Sequence, residues 1–147
     1  MERQTVDFGI DLGTTNSVLA RAMPEGIEIV RNTLESELTS SAVAVIGPGQ
    51  ILVGQDALDK PGFGGVTRFK RQMGTTNSFR MADGNQMTPE QLSAEVLKEL
   101  MAGVQLRYDM RPEFVVVTVP AMFQQPQCEA THRAVELAGL QAVRDFQ

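Results

Sequence analysis

Residues 6–18 read Val-Asp-Phe-Gly-Ile-Asp-Leu-Gly-Thr-Thr-Asn-Ser-Val, and no other stretch limits the fold as tightly. Apolar Val6, Phe8, Ile10 and Leu12 alternate with small or acidic Asp7, Gly9, Asp11 and Gly13. Such a period of two residues predicts a strand with one buried face. The strand runs straight into Gly13, Thr14, Thr15 and Asn16, a tight turn, and a second apolar run at 18–22 closes a β-hairpin. A strand that ends on a carboxylate and a Gly-Thr-Thr turn is suited to holding a phosphate, because successive backbone N–H groups form a small anion-binding concavity. Gly13 would let the backbone come close to a ligand. The Asp11 carboxylate offers the hard oxygen that a hydrated divalent cation prefers.

Further along, short apolar runs at 27–30, 42–46 and 51–53 predict strands, the last two joined by the turn Gly47-Pro48-Gly49-Gln50. The polar stretch 31–40 reads as a loop, 56–60 as one helical turn, and 61–65 as a flexible Pro/Gly loop. Residues 66–74 are expected to be helical and stopped by Gly74. Residues 79–81 and 86–87 flank Ala82-Asp83-Gly84-Asn85, an Asp-Gly hairpin signal. Thr88-Pro89-Glu90-Gln91 has the form of a capped helix start, and Leu92, Val96, Leu97, Leu100, Met101, Val104 and Tyr108 continue it as a helical stripe for the core. Phe114-Val115-Val116-Val117-Thr118-Val119 does not alternate and predicts a strand covered on both faces, with Pro120 ending it. A helix over 126–138 with Gly139 after it, then a strand over 140–143, complete an α/β pattern.

A chain of 147 residues supports one domain with a real core, and 21% charged residues is a globular value. The net charge is −5, and no stretch concentrates Lys and Arg strongly, so nucleic acid is not an expected partner. No apolar run reaches the roughly 20 residues a bilayer requires, and no basic-then-apolar leader is read at the start. Cys128 is the sole cysteine, so it has no internal partner, and a reducing cytoplasm is the expected setting. His132 has no second histidine and reads as a polar position on a helix rather than a metal ligand.

Gly-Ile-Asp-Leu-Gly-Thr-Thr-Asn-Ser over residues 9–17 resembles the first phosphate motif of the Hsp70 chaperone ATPase domain, its bacterial branch in particular. Further segments are similar in the same order. They are Leu52-Val53-Gly54-Gln55-Asp56-Ala57, Phe69-Lys70-Arg71-Gln72-Met73-Gly74, Met87-Thr88-Pro89-Glu90-Gln91-Leu92-Ser93, Val116-Val117-Thr118-Val119-Pro120-Ala121-Met122-Phe123, then Glu129-Ala130-Thr131 and Ala138-Gly139-Leu140. The resemblance implies an actin-like, ribonuclease-H-type lobe with a mixed sheet and flanking helices. Residues 1–35 and 112–147 would be its nucleotide-binding core, and 36–111 an inserted α+β subdomain.

It also implies ATP or ADP with Mg²⁺ and K⁺. Asp11 would face the cations directly or through water, and Gly13, Thr14, Thr15 and Asn16 would surround the β- and γ-phosphates. Lys70, which beside Arg68 and Arg71 would on its own read as an exposed basic residue, would point at the γ-phosphate as the catalytic group. Pro120 would belong to an allosteric switch with an arginine at position 128, where this chain has Cys128; a thiol lacks the forked donors of a guanidinium, which calls that relay into question. Met122 stands where an aromatic is usual. A Glu-Pro segment, an Asp-Leu-Gly-Gly-Gly-Thr loop, the second lobe and the peptide-binding domain would all lie past Gln147, so the chain by itself is expected to be inactive. The complete protein would be an ATP-driven chaperone working with unfolded client peptides, a J-domain co-chaperone and a nucleotide-exchange factor. The competing readings are a stand-alone, non-catalytic lobe serving as an interaction module, and a carbohydrate kinase of the same superfamily, against which the Lys70 and Pro120 contexts argue.

Overall fold

The computed structural model of the chain describes residues 6–60 and 65–143. Most of the expected Pro/Gly loop at 61–65 and the end of the chain past Val143 lie outside the described residues. In chain order the strands are β1 (Phe8–Leu12), β2 (Asn16–Met23), β3 (Gly26–Ile29), β4 (Thr39–Ser40), β5 (Ala42–Gly47) and β6 (Gln50–Val53). A short helix α1 (Gln55–Asp59), β7 (Val66–Thr67) and a 3₁₀ turn at Phe69–Gln72 follow. Then come β8 (Phe79–Arg80), β9 (Gln86–Met87), α2 (Pro89–Tyr108), β10 (Phe114–Thr118), α3 (Gln125–Leu137) and β11 (Gln141–Ala142).

The main sheet runs β11-β10-β1-β2-β3, with β4 paired to β2. The hairpin places Phe8 opposite Arg21 and Leu12 opposite Ser17. On its other side β1 lies parallel to β10, with Gly9, Ile10 and Asp11 opposite Val116, Val117 and Thr118. Phe8, Ile10, Leu12, Leu19 and Val115 point into the core, while Asp11 and Thr118 share the open face. The valine-rich run of β10 was expected to be covered on both faces. Only Val115 is fully buried there, and Val116, Val117 and Thr118 keep part of their surface. The register with β1 puts Val117 beside Ile10 on the core side and Val116 and Thr118 beside Gly9 and Asp11 on the other, so the strand is not covered on both faces.

The 20-residue helix α2 forms as its sequence signals predict. Thr88 Oγ1 accepts from the Gln91 amide at 3.1 Å, and Gln91 Oε1 accepts from the Thr88 amide at 2.9 Å. Both end groups that would otherwise lack partners are satisfied. Its stripe of Leu92, Val96, Leu97, Leu100 and Val104 is buried, each side chain contributing about 1.5–3 kcal/mol of hydrophobic transfer energy. Gly103 on the same helix permits close docking, since a Cβ there would lie 2.8 Å from the Arg31 carbonyl oxygen. At the other end Glu90, buried, pairs with Arg133 of α3 at 3.3 Å. One continuous core joins side chains from β1, β2, β5, the 3₁₀ turn, α2, β10 and α3.

The segment 66–74 departs from its expected helix. Val66 and Thr67 pair with Val43 and Ala42 of β5, Arg68 takes a left-handed conformation with φ of 59°, and only residues 69–72 turn, as a 3₁₀ piece. Pairing with a strand distant in sequence outweighs local helical preference here. Gly74, with φ of 80°, does end the segment as expected.

Candidate functional site

The loop at residues 13–16 leaves β1 and enters β2 in so tight a turn that position 13 has no room for a side chain. A Cβ on Gly13 would lie 2.0 Å from the Asn16 carbonyl oxygen. The glycine is therefore required by the turn itself, before any ligand is considered. The loop is pinned from outside by Ser41. Its hydroxyl donates to the Gly13 carbonyl at 2.8 Å, its amide donates to the Thr15 carbonyl at 2.8 Å, and its Oγ lies 2.9 Å from the buried Ser17 hydroxyl. Both bonds to the loop engage carbonyls rather than N–H groups, the groups that bind anions. Thr15 and Asn16 are exposed and Thr14 half-buried.

Asn32 orders the segment that leads to Ser41. Its Nδ2 donates to Thr39 Oγ1 at 2.9 Å and to the Leu38 carbonyl at 3.1 Å, while its Oδ1 accepts from the Leu34 and Ser36 amides at 2.9 and 3.0 Å. One buried amide thus orders the 32–39 loop and delivers β4 to the start of β2, where Ser40 faces Asn16.

Asp11 and Thr118 are register partners at the C-terminal ends of the parallel strands β1 and β10, the end of a sheet where α/β proteins commonly place ligands. Thr118 Oγ1 lies 3.2 Å from Asp11 Oδ1 and 3.4 Å from the Ile10 carbonyl. Its one proton favours the closer, charged oxygen. Asp11 is exposed, so its remaining acceptor sites are open to solvent or to a cation.

Lys70 arrives from far along the chain. It sits on the 3₁₀ turn between buried Phe69 and Met73, and only 8% of its surface is accessible. Its Nζ donates to the carbonyl of Leu12, the residue between Asp11 and Gly13. The Phe123 ring stands over the ammonium with its centroid 5.6 Å from Nζ. Burial lowers the Lys70 pKa below its usual 10.5, and the Asp11 charge works in the opposite direction. Arg68 and Arg71 are exposed, so the basic cluster separates into one inward and two outward cations.

Pro120 lies just past β10, and its carbonyl accepts from the Phe123 amide at 2.9 Å. That turn links Pro120 to the ring above Lys70. Cys128 is half-buried on α3. His132, on the same helix, has Nε2 3.1 Å from Glu136 Oε1. The structure thus gathers Asp11, the 13–16 loop and Lys70 in one place, with Pro120 attached through Phe123. Ser41, Asn32, Thr118 and Phe123 were not singled out by sequence reasoning. Only Thr118 and Phe123 lay within a motif, and isolated serines and asparagines in a polar loop carry no pattern.

The family model described as Hsp70 protein matches residues 7–145. The "Chaperone protein DnaK" of Thermotoga neapolitana is 37% identical over 147 residues, covering 97% of this chain and 24% of its own length. That of Thermotoga maritima gives the same identity and coverage, at 37%, 97% and 24%. That of Mycoplasmopsis agalactiae is 35% identical over 141 residues, covering 95% of this chain and 23% of its own length. The chain spans about a quarter of the length of these curated relatives.

Proposed function

Since this chain belongs to the Hsp70 family, we propose that Asp11, residues 13–16 and Lys70 form one half of an ATP site, whose hydrolysis drives protein folding in a protein that also has a second lobe. The observation that carries this reading is the hydrogen bond from Lys70 to the Leu12 carbonyl. It joins a buried cation to the carboxylate and the Gly-Thr-Thr loop across a long stretch of chain.

In this reading the N–H groups of Thr14, Thr15 and Asn16 receive the β- and γ-phosphates of ATP or ADP. Lys70 offsets negative charge that grows on the phosphoryl oxygens during transfer, as preorganised cations do in water-poor sites. Asp11 fits a Mg²⁺ or K⁺ ion held directly or through water, because its carboxylate is exposed and, among the described residues, a single hydroxyl, that of Thr118, bonds it. Bound Mg²⁺ would neutralise phosphate charge. Pro120 belongs to the relay toward a peptide-binding domain and is coupled to Lys70 through Phe123, while Cys128 stands where that relay would use an arginine and weakens it. Residues 1–35 and 112–147 are the nucleotide-binding core of the lobe, and 36–111 its inserted subdomain. The partners are the second lobe, unfolded client peptides, a J-domain co-chaperone and a nucleotide-exchange factor. Among the described residues no helix is long and apolar enough to cross a membrane, and the lone Cys128 fits a reducing cytoplasm.

The test joins this chain to the remainder of the Thermotoga maritima relative and follows ATP affinity as a function of Mg²⁺. Asp11→Asn should weaken the Mg²⁺ dependence while the protein stays folded. An unchanged Mg²⁺ dependence would remove Asp11 from the cation site.

A further inference from the structure

The segment that carries Lys70 meets the chain that follows β10 at two points. At the first the Phe123 ring stands 5.6 Å from the Lys70 ammonium, within the roughly 6 Å over which a ring face attracts a cation. The ring is set there by the turn in which the Phe123 amide donates to the Pro120 carbonyl. At the second Gly74, just past the 3₁₀ turn, packs against the start of α3. A Cβ there would lie 3.0 Å from the Pro126 carbonyl carbon and 3.1 Å from the Gln127 amide nitrogen. The Lys70 segment is therefore held to the chain after β10 by the Phe123 ring and by close packing of Gly74 on Pro126 and Gln127.

We propose that Phe123 is a positioning residue for Lys70: its ring face holds the buried ammonium at the Leu12 carbonyl, beside Asp11, and favours its charged form there. The part Lys70 plays toward phosphate rests on the function proposed above, whereas the hold of the ring on Lys70 does not. The face of an aromatic ring is electronegative and attracts an ammonium more than an amine. An aliphatic side chain of similar bulk would exclude water equally well and return none of that attraction. Burial already disfavours the charge on Lys70, and Asp11 on β1 supports it. Arg68 and Arg71, the cations flanking Lys70, are exposed and common to every variant below.

The experiment titrates the lysine side chains of this chain by ¹³Cε NMR without nucleotide. Lys60 and Lys98 are the other lysines and serve as internal references. Phe123→Leu should lower the Lys70 pKa by about 0.5–1 unit, Phe123→Tyr should restore it, and Lys98 should not move. A Lys70 pKa that stays put or rises in Phe123→Leu would overturn the proposal, since the ring would then be a mere apolar wall. So would Phe123→Tyr behaving as Phe123→Leu. If the leucine variant fails to fold, pentafluorophenylalanine placed at position 123 keeps the ring shape and reverses its charge distribution. The Lys70 pKa should then fall, and an unchanged value would overturn the proposal. Because no nucleotide is present, failure here would leave the ATP reading standing, and failure of the ATP reading would leave this result standing.

Discussion

Gly13→Ala and Gly9→Ala make the same chemical change at either end of one strand, and the structure predicts opposite outcomes. At position 13 the new methyl would lie 2.0 Å from the Asn16 carbonyl oxygen, and real contacts of this kind stay beyond 3.0 Å, so that oxygen must retreat by about 1 Å. Asn16 opens β2 opposite Ser40, so the retreat pulls on the loop that Ser41 pins. At risk are the Ser41 hydroxyl bond to Gly13, the Ser41 amide bond to Thr15 and the Ser17–Ser41 contact. Each is worth about 0.5–1.5 kcal/mol net, so Gly13→Ala should cost about 2–4 kcal/mol. That is a large share of the roughly 5–15 kcal/mol that holds a domain together. At position 9 nothing lies within 4 Å of the added carbon, and the smaller entropy of the unfolded chain should stabilise Gly9→Ala by about 0.4–1 kcal/mol. Urea unfolding followed by circular dichroism measures both. The midpoint should fall by about 1–2 M for Gly13→Ala at unchanged slope, and rise slightly for Gly9→Ala. If Gly13→Ala stayed within about 0.5 kcal/mol of the parent, or if Gly9→Ala did equal damage, the steric reading of this loop would be wrong.

Asn32→Ala removes a buried amide that makes four hydrogen bonds. It should cost about 2–4 kcal/mol and speed hydrogen exchange at the Leu34 and Ser36 amides; unchanged exchange there would contradict its organising role. Lys70→Met should change the pH dependence of stability. Well below its lowered native pKa, Lys70 is protonated whether folded or unfolded, and its burial penalty is fully present. As pH climbs through that native value toward 10.5, the folded state sheds the proton first and stability rises. Urea midpoints at increasing pH should show this rise in the parent and lose it in Lys70→Met, and identical slopes would refute the buried-ammonium account. Cys128→Arg, in a version carrying the second lobe and peptide-binding domain, should leave basal turnover nearly unchanged and strengthen ATP-driven peptide release. Release that did not change would mean that the relay bypasses position 128.

What could be read from the sequence was what short-range chemistry decides. The β1–β2 hairpin follows from alternation and a Gly-Thr-Thr turn, and the start of α2 follows from Thr88, Pro89 and Gln91, all within one turn of helix. The Lys70 segment misled because its conformation is set by Ala42 and Val43, which recruit Val66 and Thr67 into a sheet. Coverage of β10 on both faces was likewise expected from an apolar run that does not alternate, whereas its register with β1 decides which valines face the core. The same division runs through the site. Asp11, the 13–16 loop and Lys70 stand in recognisable motifs. Their supports act through single side-chain bonds between distant segments, Ser41 to Gly13 and Asn32 to Thr39, and such bonds leave no periodicity to read.

Lys70, brought to the end of β1, should act on phosphate in a site completed by a second lobe. Single-turnover ATP hydrolysis by the chain joined to the remainder of the Thermotoga maritima relative tests it most directly. Lys70→Ala should slow the chemical step by about 10²–10³-fold, with ATP affinity kept within a few-fold, because the lysine is needed most in the transition state. Hydrolysis at the parent rate in Lys70→Ala would mean that Lys70 takes no part in phosphoryl transfer.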